Sequence, residues 1–277
     1  MTPLALRCIA QVWLQAGRSA TIVEVRSHRG SVPRETGTRM LVGDDAVAGT
    51  IGGGHLEWQA IAQARAGRRD DWAVTLGPSL GQCCGGAMVL GFEPLTHDAL
   101  AAWTLPPPRL VLQLYGAGHV GRAIVRLLAD IHCAVNWVDA RDAEFPSAVP
   151  PHVEVRCVDA PEAEVDTAPP SCAYLVLTHS HDLDLRITET ILRRGDFGFL
   201  GLIGSATKRA RFVHRFEARG IAPERLARLT CPIGLPGLRG KEPAVLAISA
   251  VAQLLTLTAV TGAASAPVGE AASGAAG

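Results

Sequence analysis

The 277-residue chain has no net charge: 26 Lys and Arg balance 26 Asp and Glu, and the isoelectric point lies near 7.1. With no surplus of either sign, no global field recruits nucleic acid or an anionic membrane, so any partner is recognised locally. No uninterrupted apolar run reaches the roughly 18 residues that a membrane-spanning helix needs. Met1-Thr2-Pro3-Leu4-Ala5 also lacks the basic start and long apolar stretch of a secretory leader. The expectation is a cytoplasmic protein with neither membrane nor nucleic-acid partner. Regular cysteine spacing is missing too. Cys8, Cys83, Cys84, Cys133, Cys157, Cys172 and Cys231 form an odd set, which argues for reduced thiols, most of them core residues, over a disulfide scaffold.

What is present is a hydrophobic fraction of 48% against 19% charged residues, a composition able to bury substantial cores. The length suits two domains. Residues 4–16 carry Leu4, Leu6, Ile9, Val12 and Trp13 at near-helical spacing, and the strand-like Thr21–Val25 follows. After a long polar loop, Gly30 to Thr38, the segments Arg39–Val42 and Val47–Ile51 flank Gly43-Asp44-Asp45 as a hairpin. Gly52-Gly53-Gly54 then enters a helix over His55–Arg65, which predicts exposed backbone amides at the glycines. Trp72–Leu76 and Ala87–Phe92 read as strands on either side of a cysteine loop.

Residues 96–108, ending in three prolines, break the periodic pattern and read as a linker. Beyond it, strands Leu110–Tyr115, Ala134–Val138, Val153–Val158, Tyr174–Thr178 and Phe199–Ile203 alternate with helices that include Val120–Ala129 and Leu185–Arg193. That alternation means a parallel sheet covered on both faces. Two further helices are expected at 206–219 and 243–260, either side of a glycine- and proline-rich stretch at 231–242. The fold class is therefore α/β: a small N-terminal α+β domain at 1–95, the linker at 96–108, a Rossmann-like parallel-sheet domain at 109–261, and a frayed tail of small residues at 262–277.

Gly116-Ala117-Gly118-His119-Val120-Gly121 follows a strand and opens a helix, the context that a GxGxxG motif needs. Gly116 permits the tight turn, Gly118 lets a phosphate approach the backbone, and Gly121 allows close packing, while the helix start offers unpaired amides. Asp139, eighteen residues after Gly121, falls where a ribose hydroxyl would be bound, and Arg141 either pairs with it or meets a phosphate. The plainer alternative is that these glycines only shape a tight turn.

In Gly81-Gln82-Cys83-Cys84-Gly85-Gly86 the adjacent thiols are poorly placed to bridge each other, since neighbouring Cα atoms are about 3.8 Å apart and a disulfide needs roughly 4.4–6.8 Å. No second CxxC or CxxH pair supports a zinc site. The flanking glycines expose amides that suit a thiolate, a soft metal or a persulfide sulfur; otherwise the two cysteines simply fill a crowded turn.

Thr178-His179-Ser180-His181-Asp182-Leu183-Asp184 stands at the carboxyl edge of the sheet, where open α/β folds bind ligands. It resembles the HxHxDH motif of metallo-hydrolases but has an aspartate where the last histidine belongs, so His179 and His181 read as a ligand-facing cluster before a metal site. Gly204-Ser205 with Lys208 and Arg209 offers a second anion site at a helix start. In the first domain, Arg34 and Arg39 are candidates to grip phosphate, and Glu35 to pair with an arginine.

Several motifs in register, Gly30-Ser31-Val32-Pro33-Arg34, Gly49 to Glu57, the cysteine loop, the Gly116 fingerprint, Thr178 to Asp182 and Cys231-Pro232-Ile233-Gly234-Leu235, resemble the XdhC family of xanthine dehydrogenase accessory proteins. The resemblance runs from about residue 7 to about residue 256, and Gly240 to Val245 is similar to the xanthine-dehydrogenase branch. It implies a chaperone, not a catalyst, that binds molybdenum cofactor in its molybdopterin form. Such a protein protects the cofactor while an L-cysteine desulfurase supports its sulfuration, delivers it to apo-xanthine dehydrogenase, and is a homodimer. The cofactor-binding residues are then Cys83, Cys84, Gly116, Gly118, His119, Gly121, Asp139, His179, His181, Gly204, Ser205 and Lys208, with Cys83 and Cys84 as candidate molybdenum contacts. The rival reading is an NAD(P)-dependent oxidoreductase holding a dinucleotide at the glycine fingerprint. A metal-dependent hydrolase using His179, His181 and Asp182, and an adaptor that binds both proteins without cofactor, are further alternatives.

Overall fold

The computed structural model describes residues 1–77 and 85–262. The chain divides into two compact units, one of Met1–Pro107 with Asp130–His132, the other of Pro108–Ala129 with the chain from Cys133 onward.

The first unit holds α1 (Pro3–Gln15), β1 (Ala20–Arg29), β2 (Arg39–Gly43), β3 (Val47–Gly49), α2 (Gly54–Arg65), β4 (Trp72–Thr75), β5 (Ala87–Pro94) and α3 (His97–Ala102). Its strands form an antiparallel sheet in the order β3-β2-β1-β5-β4. Side chains alternate between faces along each strand. Val23, Val25, Met40 and Val42 pack with Leu56, Ala60 and Ala64 of α2, and Ile22 and Leu41 pack with Leu6, Ala10 and Trp13 of α1 and Ala99 of α3. With both faces covered, the strands read as apolar runs. Thr2 caps α1 by accepting from the Ala5 amide at 3.1 Å, with Pro3 in its first turn. The segment read as a linker contains α3, capped by Thr96, whose hydroxyl accepts from the Ala99 amide at 3.1 Å.

The second unit holds β6 (Val111–Tyr115), α4 (His119–Leu128), β7 (Ala134–Asp139), β8 (Val153–Cys157), β9 (Ala173–Val176), α5 (His181–Arg194), β10 (Phe199–Leu202), α6 (Ala206–Ala218), α7 (Pro223–Ala227), β11 (Leu229–Thr230) and α8 (Pro243–Gly262). All its strand pairs are parallel, in the order β11-β10-β9-β6-β7-β8. This is the doubly wound Rossmann order, and it puts the reversal of strand order between β6 and β9. Leu185, Ile187, Ile191, Phe212 and Phe216 cover one face, and α4 packs with α8. Helix α5 starts at the Ser180 cap and stops at Gly195, which takes φ +79. Neither α7 nor β11 was expected from the sequence. Among the described residues, no helix is long and apolar enough to cross a membrane.

Candidate functional site

The loops leaving β6 and β9 meet at the switch point. Gly116 takes φ +119, and a Cβ there would stand 2.4 Å from the Leu177 carbonyl oxygen; a Cβ on Gly121 would stand 2.0 Å from the Gly116 carbonyl oxygen. Both glycines are therefore required by the protein's own packing. Gly118 differs: its φ is −67 and a Cβ would meet nothing within 4 Å. The position that would let a phosphate near the backbone is thus open, at the start of α4, with His119 exposed beside it.

Asp139, at the end of β7, is 4% exposed. Its Oδ2 accepts from the Ala117 amide at 2.7 Å and from Arg141 Nη2 at 2.9 Å. Its Oδ1 accepts from the backbone amide and Nε of Arg141, each at 3.0 Å. Burial pushes the Asp139 carboxyl upward, but Arg141 and the amide donors outweigh it and hold the group below the usual carboxylate range. Arg141 also reaches Glu144 at 3.3 Å, and Glu144 pairs with Arg122 of α4 at 3.3 Å. Of the two roles open to Arg141, the structure takes the pairing.

One strand further along the carboxyl edge, the first turns of α5 and α6 face each other across a cavity of about 220 Å³, lined by Thr178, His179, His181, Asp184, Ile203, Gly204 and Lys208. Ser180 and Ser205 cap the two helices, accepting from the amides of Leu183 and Lys208. Lys208 Nζ donates to Asp184 Oδ2 at 2.5 Å and to the Ile203 carbonyl at 2.9 Å. Asp184 Oδ1 accepts from the Thr178 hydroxyl at 2.7 Å and amide at 3.0 Å. His179 and His181 are exposed at the rim. Among the described residues, no group of three His, Cys, Asp or Glu side chains is placed to hold a metal ion. Cys231 lies behind this wall, its thiol 3.8 Å from the Ser205 carbonyl; burial pushes that thiol up.

In the first unit, three glycine-bearing loops gather at one end of the sheet. A Cβ on Gly30 would stand 3.3 Å from Gly86 Cα, and one on Gly52 would stand 2.5 Å from the Pro33 ring. The base of the cysteine loop therefore adjoins Gly30 to Pro33, which adjoins the glycine run before α2. Cys83 and Cys84 themselves lie outside the described residues. The amides before α2, expected to be exposed, are engaged: Glu57 Oε2 accepts from the amides of Ile51 at 2.9 Å and Gly53 at 3.1 Å, and from the Thr50 hydroxyl. Arg39 pairs with Glu24 at 3.0 Å and lies over Trp103, while Arg34 and Glu35 line a cleft of about 570 Å³ in this unit.

The structure thus brings Gly116, Gly118, His119, Gly121, Asp139, His179, His181, Gly204, Ser205 and Lys208 to the carboxyl edge of one sheet. Sequence reasoning missed Asp184 as the partner of Lys208, and missed Arg122 and Glu144. The available signal for Asp184 was its place four residues after the capping Ser180, which sets it in the first turn of α5 facing the next crossover.

The family model described as the XdhC Rossmann domain matches residues 112–254, and the model of the XdhC and CoxI family matches residues 13–76. The uncharacterized protein YqeB of Escherichia coli (strain K12) is 29% identical over 248 residues, covering 84% of this chain but 42% of that protein, so the chain spans less than half the length of this relative. A crystal structure described as a xanthine dehydrogenase from Bacillus halodurans superposes with a TM-score of 0.71 at 18% identity, covering 96% of this chain and 98% of the other. At that identity the likeness concerns the fold. With its Rossmann unit and its N-terminal unit each matched in order, the chain belongs to the XdhC family.

Proposed function

We propose that the protein is an accessory chaperone of xanthine dehydrogenase maturation. In this reading it holds molybdenum cofactor in the molybdopterin form, keeps it available while an L-cysteine desulfurase provides sulfur, and passes it to apo-xanthine dehydrogenase. It works in the cytoplasm as a homodimer. Family membership supports the reading, as does the xanthine dehydrogenase description of the Bacillus halodurans protein that shares the fold.

The observation that carries it is the cavity at the starts of α5 and α6. Two helix N-termini, two exposed imidazoles and the one Lys208 donor left after Asp184 and the Ile203 carbonyl are served form a donor set for the phosphomonoester end of a pterin, with the Asp184 charge already balanced by Lys208. Gly118, open at the start of α4, leaves room for the rest of the molecule. His179, His181, Gly204, Ser205 and Lys208 would hold the anionic end, with Gly118 and His119 beside it. Cys83 and Cys84, outside the described residues, are soft donors suited to molybdenum. When bound, the cofactor supplies the molybdenum and its terminal sulfur; the chain binds, orients and shields.

The test is co-purification with a molybdenum cofactor source, with molybdenum and pterin quantified on wild type, Cys83→Ala, Cys84→Ala and Lys208→Met. Pterin on wild type, reduced by Lys208→Met, with molybdenum lost from one cysteine variant, supports the chaperone and identifies the thiol. No pterin on any variant overturns it in favour of an adaptor that binds both proteins without cofactor.

A further inference from the structure

A doubly wound sheet of this order ordinarily grips a dinucleotide in two places: a phosphate at the glycine loop, and ribose hydroxyls at an acid ending the next strand. The two halves of that grip are unequal here. The phosphate half is open, since a Cβ on Gly118 would meet nothing within 4 Å. The ribose half is closed. A carboxylate offers about four lone-pair positions, and Asp139 has four donors on them: the Ala117 amide, and the amide, Nε and Nη2 of Arg141, at 2.7–3.0 Å. Three come from one residue, so no small rotation frees an oxygen.

Charge points the same way. Asp139 and Glu144 face Arg141 and Arg122 in a balanced chain of ion pairs. A ribose diol would displace charge-assisted hydrogen bonds from a group that is 4% exposed. A 2′-phosphate would find only the two Arg141 donors left over from Asp139 and Glu144, and would meet them beside two carboxylates that already balance the arginine's charge.

We infer that the Rossmann unit excludes both NAD-type and NADP-type dinucleotides, because Asp139 serves as an internal positioning residue that ties the glycine loop to the loop after β7. The ligand class that remains is one with no ribose diol at the Asp139 position. This stands independently of the chaperone reading; failure of pterin binding would leave it intact.

The experiment titrates NADH and, in parallel, NADPH into the full chain, read by nicotinamide fluorescence, for wild type and Arg141→Ala. Wild type is expected to show no saturable signal with either up to about 1 mM. Arg141→Ala, which returns acceptor positions to Asp139, is expected to bind NADH at least about tenfold more tightly. Saturable binding of either dinucleotide to wild type overturns the exclusion. An Arg141→Ala protein with native near-ultraviolet circular dichroism and no gain overturns the role given to the Asp139 clamp. Should that variant not fold, Arg141→Gln, which keeps the backbone donor and one side-chain donor, is read by the same criterion.

Discussion

Lys208 of α6 and Asp184 of α5 are joined at 2.5 Å, with side-chain exposures of 10% and 2%, so the two helices that frame the cavity are locked by one buried ion pair. Removing one partner leaves the other charge without its counter-ion in a dry place, which is costlier than removing both. Asp184→Ala is expected to lower stability by about 3 kcal/mol, and Asp184→Leu combined with Lys208→Met by clearly less. Urea unfolding of the three proteins measures the difference.

The three fingerprint glycines should separate by what each touches. Gly121→Ala forces a methyl group to within 2.0 Å of the Gly116 carbonyl oxygen, and overpacking of this kind is expected to cost about 1–3 kcal/mol. Gly118→Ser has open space and supplies a helix cap, so stability should stay within about 0.5 kcal/mol. Yet the serine side chain fills space that the proposed cofactor would occupy, so on that reading bound pterin should fall. Thermal unfolding together with pterin quantification reads both effects.

Acid should erase one part of the stability. The native Asp139 carboxyl titrates below its ordinary value of 3.8, so its contribution is complete above that value and disappears as pH falls through the lower native one. The stability gap between wild type and Asp139→Asn is therefore expected to be constant from pH 7 to pH 5 and to close below pH 3.8. Urea midpoints across that range provide the check.

Thiol accessibility gives a prediction independent of any ligand. Cys8 and Cys157 are exposed, whereas Cys133, Cys172 and Cys231 are buried, and burial pushes Cys133 up to about 11. Brief alkylation of the native protein, followed by peptide mass mapping, should label Cys8 and Cys157 and spare the other three until denaturant is added.

Much of the fold was legible because its signals are local. Thr21–Val25 with its following hairpin, and the strand, glycine turn and helix around Gly116, announce themselves within windows of a few residues. Helix α3 did not, being six residues long and marked only by the Thr96 cap. The site was legible in position but not in partnership. An acid at the end of β7 looks the same in sequence whether it faces a ribose or its own neighbour, and only the backbone turn at Arg141 decides. Ser249 was equally silent: it sits inside the apolar run of α8, yet its hydroxyl accepts from the Leu235 amide at 2.7 Å, and with Gln253, which accepts from the Gly234 amide at 2.8 Å, it anchors the Cys231 to Leu235 loop.

The glycine run before α2 looks like an anion receptor, and it already has its anion. The Glu57 carboxylate lies among the donors of Thr50, Ile51 and Gly53, so the chain is its own counter-ion there and those donors are not open to a ligand's phosphate. A Glu57→Ala protein would carry an oxyanion hole built for nothing. Its stability should then depend on which salt is in the buffer, with sulfate or phosphate restoring what an equal ionic strength of chloride does not.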